Sequence, residues 1–91
     1  MYDLNGFQRD TLYVVAGLGE PNGLEIKQHL EEYYESEINH GRLYPNLDTL
    51  VEEGLLQKGT VDERTNYYSV TERGHVVLEM HRDWRAKYID Y

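Results

Sequence analysis

The sequence predicts an α+β fold in a single 91-residue chain, and three observations carry that expectation. First, the stretch HGRLYPNLDTLVEEG (40–54) places Leu43, Leu47, Leu50 and Val51 on one stripe of an amphipathic helix. Arg42, Pro45, Asp48, Thr49 and Glu52 fall on the opposite face. Second, the stripe stops at Gly54, and two short strand-like runs follow, about 55–60 and 66–71, joined by the charged turn VDERT. Third, apolar residues recur every three or four positions both before residue 36 and after residue 71. Two helices, a turn, a third helix and a β-hairpin make a winged helix-turn-helix: three helices, a two-stranded wing, and here one further C-terminal helix.

Each element has its own local signal. Leu4, Phe7, Thr11, Val14, Val15 and Leu18 space an opening helix, for which Asn5 is the cap. The breaker-rich GLGEPNG (17–23) reads as a connection, and Gly23 opens a second helix. That helix buries Leu24, Ile26, Leu30, Tyr33 or Tyr34, and Ile38, and leaves Glu31, Glu32, Glu35 and Glu37 as a solvated face. Ser36 to Gly41 is the turn into the third helix. Pro45 lacks an N–H and suits only a first turn, which puts that helix's start near Arg42. Thr71 caps the last helix, with Glu72 where the macrodipole favours an anion. Gly74 in that first turn costs roughly 1 kcal/mol relative to Ala and so implies close packing. Val77, Met80, Trp84, Tyr88 and Tyr91 continue the helix to the chain end, with Val76 and Ile89 widening the stripe. Residues 1–71 are expected to form the winged helix-turn-helix and 72–91 a dimerisation helix.

Composition excludes several classes. Without cysteine there is no disulfide frame and no thiolate chemistry. The opening residues lack the basic and apolar regions of a signal peptide, and the longest apolar run, Leu12 to Ala16, is far too short to cross a membrane. A cytoplasmic protein is expected. No nucleophile motif, phosphate loop or HExxH is present, so neither an enzyme nor a cofactor is expected. His75 and Glu79 share a helical face, but two ligands do not make a metal site. Seventeen acidic residues against nine basic ones, of which three are lysines, give a net charge of −8. Nucleic-acid binding normally calls for a basic domain. Either the chain does not bind nucleic acid, or it works in molar salt, where repulsion is screened to within about 3 Å.

The string 41–74 decides between these. Leu43-Tyr44-Pro45, Leu47, Leu50, Glu52-Glu53-Gly54-Leu55, Tyr68 and Thr71-Glu72-Arg73-Gly74 together resemble the PadR-like family of winged-helix transcriptional regulators. The acidic, lysine-poor composition resembles the family's halophilic archaeal branch, including regulators similar to repressors of haloarchaeal viruses, and the single terminal helix resembles its short type. The resemblance implies a homodimeric repressor on double-stranded DNA, bound at an inverted repeat with half-sites one helical turn or a multiple apart. The alternative is a winged helix whose acidic surface docks a basic protein and never enters a groove.

Candidate DNA-binding residues follow. Arg42, at the exposed helix start, is suited to guanine in the major groove or to a phosphate. Asn46 and Thr49 are lesser readers, Tyr44 sits at the edge of the buried stripe, and His40 and Gly41 can donate to phosphate. Lys58, Arg64 and Arg73 lie on or near the wing and, with Lys27, would form a positive strip. Cations held between protein carboxylates and phosphates would offset Asp48, Glu52, Asp62 and Glu63. Leu4, Phe7, Val77, Met80, Trp84, Tyr88 and Tyr91 are expected at the dimer seam. If cations are taken up on binding, the affinity of this chain for DNA changes little, or rises, between roughly 0.5 and 2 M salt, where a basic domain would weaken steeply. A band-shift series in potassium chloride reads that slope.

Overall fold

The computed structural model describes residues 3–60 and 62–89. Helix α1 spans Gly6–Leu18, α2 Gly23–Tyr34 and α3 His40–Glu52; strands β1 (Leu56–Thr60) and β2 (Asn66–Val70) follow, then α4 (Glu72–Ala86). The α+β winged helix-turn-helix architecture is the observed one. β1 and β2 pair antiparallel with Leu56 opposite Val70, Lys58 opposite Tyr68 and Thr60 opposite Asn66.

Side-chain caps set where the helices begin. Asn5, Asn22, Asn39 and Thr71 each accept a hydrogen bond from the backbone N–H three residues on. In α1 and α2 the box is closed by Gln8 and Glu25, which reach back to the cap's own N–H. Asn39 starts α3 two residues before the expected position, so Pro45 lies in the second turn rather than the first. The cost is bounded, because the carbonyl that Pro45 leaves without a donor belongs to Gly41, which faces solvent. At the other end Gly54 adopts φ 76°, with Gly54 N–H donating to Val51 O (3.0 Å) and Leu55 N–H to Leu50 O (3.0 Å). Both bonds of a Schellman stop are therefore made, and Leu50 and Leu55 are both fully buried.

The core joins Leu12, Val15, Ile26, Leu30, Leu43, Leu47, Leu50, Leu55 and Tyr68. Leu12 and Leu78 belong to it, although neither fell on the expected stripes. Leu24, expected inside, is exposed, and of the two tyrosines of which one was expected inside, it is Tyr34 that is half-buried. The 17–23 connection does more than turn the chain. Tyr68 N–H donates to Pro21 O (2.9 Å) and Asn22 bridges to Tyr67, so this segment covers the outer edge of β2. The regular part of α4 ends at Ala86, short of the chain end, and Tyr88 and Ile89 follow in a turn whose N–H groups donate to Arg85 O.

Gly74 is the tightest junction. A Cβ there would collide with the Leu55 carbonyl oxygen and come within 2.7 Å of Val70 Cγ1. The absent side chain lets α4 sit directly on the start of the wing. Gly74→Ala should therefore cost about 2 kcal/mol or more, despite alanine's better helix propensity, and urea unfolding would show it as a lower midpoint.

Candidate nucleic-acid interface

α3 presents an N-terminus that differs from the other two capping-box helices. Its third residue is Arg42, not Gln or Glu, so no side chain closes a capping box, and Asn39 Oδ1 accepts only the Arg42 N–H (2.8 Å) among the first three. His40 and Gly41, the first two residues of the helix, are exposed. At α2, by contrast, Glu25 Oε1 accepts from the Asn22 N–H at 3.0 Å and places a carboxylate over the helix start. An open helix start is where backbone N–H groups and the macrodipole favour an anion.

Arg42 lies on an aromatic platform. Its guanidinium carbon stands 4.1 Å from the centroid of the Phe7 ring and 5.8 Å from that of Tyr34. Phe7 and Tyr34 are themselves stacked at 6.1 Å, and the Tyr34 hydroxyl donates to Asp10. Burial, and then the bond and charge of Asp10, push the Tyr34 hydroxyl up to about 12, so it stays a neutral donor. The planar cation is thereby held against α1 and α2 while Arg42 as a whole stays exposed.

Asn46 is also committed within the fold. Its Oδ1 accepts from Gln8 Nε2 (2.9 Å) and its Nδ2 donates to Arg42 O (2.7 Å), tying α3 to the first turn of α1. Thr49 donates its hydroxyl to Pro45 O at 3.0 Å. The His40 ring stacks on Tyr44 at 5.4 Å with 6° between planes. The Tyr44 hydroxyl occupies the space a side chain at Gly23 would need. Tyr44 and Arg64 line a cavity of about 290 Å³ together with Asn22, Gly23, Thr65 and Asn66, between the wing and the start of α2. Asp62 shapes the wing tip by accepting from the N–H groups of Arg64 (2.8 Å) and Thr65 (2.9 Å).

The expected positive strip does not form as one cluster. Lys27 is ion-paired to Glu31 at 2.8 Å. Arg73 lies against Gly54 at the C-terminal end of α3, the opposite end from Arg42. A 13-residue helix separates those ends by about 20 Å. Lys58 is exposed on β1 and Arg64 is exposed at the wing tip. Arg42 thus lies at the start of α3, Arg64 beside Tyr44, and Lys58 is exposed on β1. Two residues expected at a dimer seam, Phe7 and Val77, are taken into the chain's own core, and Leu4 is half-buried. Val76, Met80, Trp84, Tyr88 and Ile89 remain exposed, and Tyr91 lies outside the described residues.

Sequence reasoning missed three positioning residues. Gln8 and Asn39 received no role from the sequence, although their Asn-x-x-Gln and pre-helix positions carry capping signals. Glu31 was expected on a solvated face, yet its Oε2 accepts from Lys27 Nζ and from the Ile38 N–H (2.9 Å), bracing the turn into α3.

A family model described as the transcriptional regulator PadR-like family matches residues 11–80. The chain belongs to the PadR-like family. Its PadR-like fold is similar to RosR of H. salinarum grown from NaBr (46% identity, TM-score 0.90, covering 98% of this chain and 81% of that one). The RosR-S1 complex is similar at 47% identity and TM-score 0.89, covering 93% and 75%. F93 from STIV, a winged-helix DNA-binding protein, shares the fold at 16% identity and TM-score 0.74, over 100% of this chain and 98% of that one. No curated protein sequence matches the chain. Membership identifies a transcriptional regulator, not an enzyme. No helix among the described residues is long and apolar enough to cross a membrane.

The Glu31 brace has a pH signature. The Lys27 and Ile38 donors hold its carboxyl below the usual carboxylate range. A lowered folded-state value contributes stability above the unfolded-state value and loses it as pH falls through the folded one. Thermal melts from neutral pH down to about pH 3 should show a shallower acid loss in Glu31→Gln than in wild type.

Proposed function

We propose that this chain binds double-stranded DNA as a homodimer, with α3 in the major groove, and represses transcription from an inverted-repeat operator in a high-salt cytoplasm. One observation carries this reading: α3 opens with the His40 and Gly41 N–H groups uncapped by a side chain, beside an arginine already fixed on Phe7 and Tyr34. A stacked guanidinium has less rotamer freedom to lose when it meets a phosphate, so the contact is pre-organised. Membership of a family of transcriptional regulators supports the same reading.

In this arrangement Arg42 clamps backbone phosphate at the groove edge. The His40 and Gly41 N–H groups share that phosphate, and Arg64 reaches the neighbouring backbone from the wing. Base reading falls to the outward face around Pro45, Asp48 and Thr49. Asp48 and Glu52 face the same way, and cations from the medium sit between them and the DNA. Residues 72–91 provide the dimer seam through the exposed apolar side chains Val76, Met80, Trp84 and Ile89.

The scatter of Lys27 and Arg73 away from Arg42 favours a second reading, a protein-docking winged helix that leaves DNA alone. Band shifts against the chain's own promoter in molar potassium chloride separate the two, and folded dimer that shifts no fragment would establish the second. If Arg42 clamps phosphate, Arg42→Ala weakens operator and unrelated DNA alike, by about tenfold, and Phe7→Leu weakens both in the same direction to a smaller degree. A loss confined to one base position would make Arg42 a base reader instead.

A further inference from the structure

We infer that the open cleft between α1, α2 and α4 is a binding site for a small organic phosphate, its phosphate between Arg9 and Arg85 and its apolar body against Val14 and Tyr33. The cavity holds about 480 Å³, within the roughly 300–1,000 Å³ range of small-molecule sites. It lies away from the outward face of α3 and takes no part in the DNA contacts described above.

Its charge is unusual for this chain. Arg9 comes from α1 and Arg85 from α4, and neither is ion-paired among the described residues, in a protein with a net charge of −8. The one carboxylate in the lining, Asp10, already accepts the Tyr34 hydroxyl. The lining residues thus carry two arginines and one carboxylate, with the Arg9 Nη2 lying near the first turn of α1, 3.8 Å from where a Cβ at Gly6 would stand. His81 reports the field of the two arginines. Its Nδ1 lies 2.9 Å from the Tyr13 hydroxyl, and burial, then Arg9, then Arg85, lower its proton affinity, outweighing the opposing effect of Asp10. The imidazole is therefore neutral and stands where the fields of both arginines overlap.

The lining selects the ligand's class. One guanidinium suffices for a carboxylate, whereas a phosphate monoester carries about −1.5 to −2 charge at neutral pH and can engage both. Val14 gives an apolar wall, and the Tyr33 ring, 70% exposed and edge-to-face with Tyr34, offers its outer surface to a flat group. A ligand bridging Arg9 and Arg85 would link α1 to α4, and so set the angle between the helix-turn-helix and the terminal helix. Only that regulatory consequence rests on the DNA-binding reading.

The test uses the full chain without DNA, in molar potassium chloride, titrated with adenosine monophosphate and followed by NMR of the backbone amides. Saturable shifts are expected at Arg9, Tyr13, His81 and Arg85, with adenosine and inorganic phosphate each binding about tenfold more weakly. Arg85→Ala and Arg9→Gln should each weaken binding by about tenfold with the unfolding temperature unchanged, and Arg85→Lys should recover part of the loss. The inference is overturned if the shifts do not saturate at millimolar nucleotide, if they map to α3, or if neither arginine variant changes them. Benzoate binding as tightly as the nucleotide would overturn the phosphate assignment. Because no DNA is present, these outcomes are independent of whether the chain binds an operator.

Discussion

Burial of one leucine stripe organises the molecule. Leu43, Leu47 and Leu50 on α3 have no exposed surface, and α3 packs chiefly against α1 and β1. Hiding a leucine completely is worth about 1.5–3 kcal/mol, so three in register outweigh any single polar contact in so small a domain. Once that stripe faces inward, α3's period turns Arg42, Asp48 and Glu52 outward with no further instruction. The ends of the helix then need only be stopped cleanly. Asn39 does so at the start, and Gly54 with its two backbone bonds does so at the finish.

The polar side chains divide their work between holding α3 and meeting solvent. Gln8, Asn46, Glu31 and Lys27 are held by one another or by the backbone, and they fix α3 against α1 and α2. Arg42 does both: its face rests on Phe7 and its edge stays exposed. An acidic protein has few cations to place, so their use matters. Two of the nine basic residues meet around a cavity rather than on the α3 face, one is neutralised at the α2–α3 turn, and one sits over the end of α3.

The wing and the terminal helix are coupled through a small contact. Gly74 lets α4 approach the Leu55 carbonyl, and Thr71 both caps α4 and donates its hydroxyl to Gly54 O at 2.6 Å. The end of α3, the start of β1 and the start of α4 therefore meet within one patch. The aromatic chain from Tyr13 on α1 through His81 and Trp84 on α4 to Tyr88 then runs outward, from a half-buried tyrosine to one 72% exposed. A packed interior passes gradually into an apolar surface there.

Local signals were enough to read the fold from the sequence. Periodicity gave the four helices, Gly54 and Thr71 marked two boundaries, and the spacing from Leu43 to Gly74 identified the family, because each depends on residues close together in the chain. What tertiary structure alone decided was the fate of individual side chains. Pro45 suggested a later helix start, but the Asn39 cap and the buried leucines outweighed one unmatched carbonyl. Arg42 read as a free arginine because its platform, Phe7 and Tyr34, lies on two other helices. Glu31 looked solvated because its partner N–H at Ile38 comes within reach only after the turn has formed. Arg9 and Arg85 stand far apart in sequence, and only the packing of α4 across α1 brings them to one cavity.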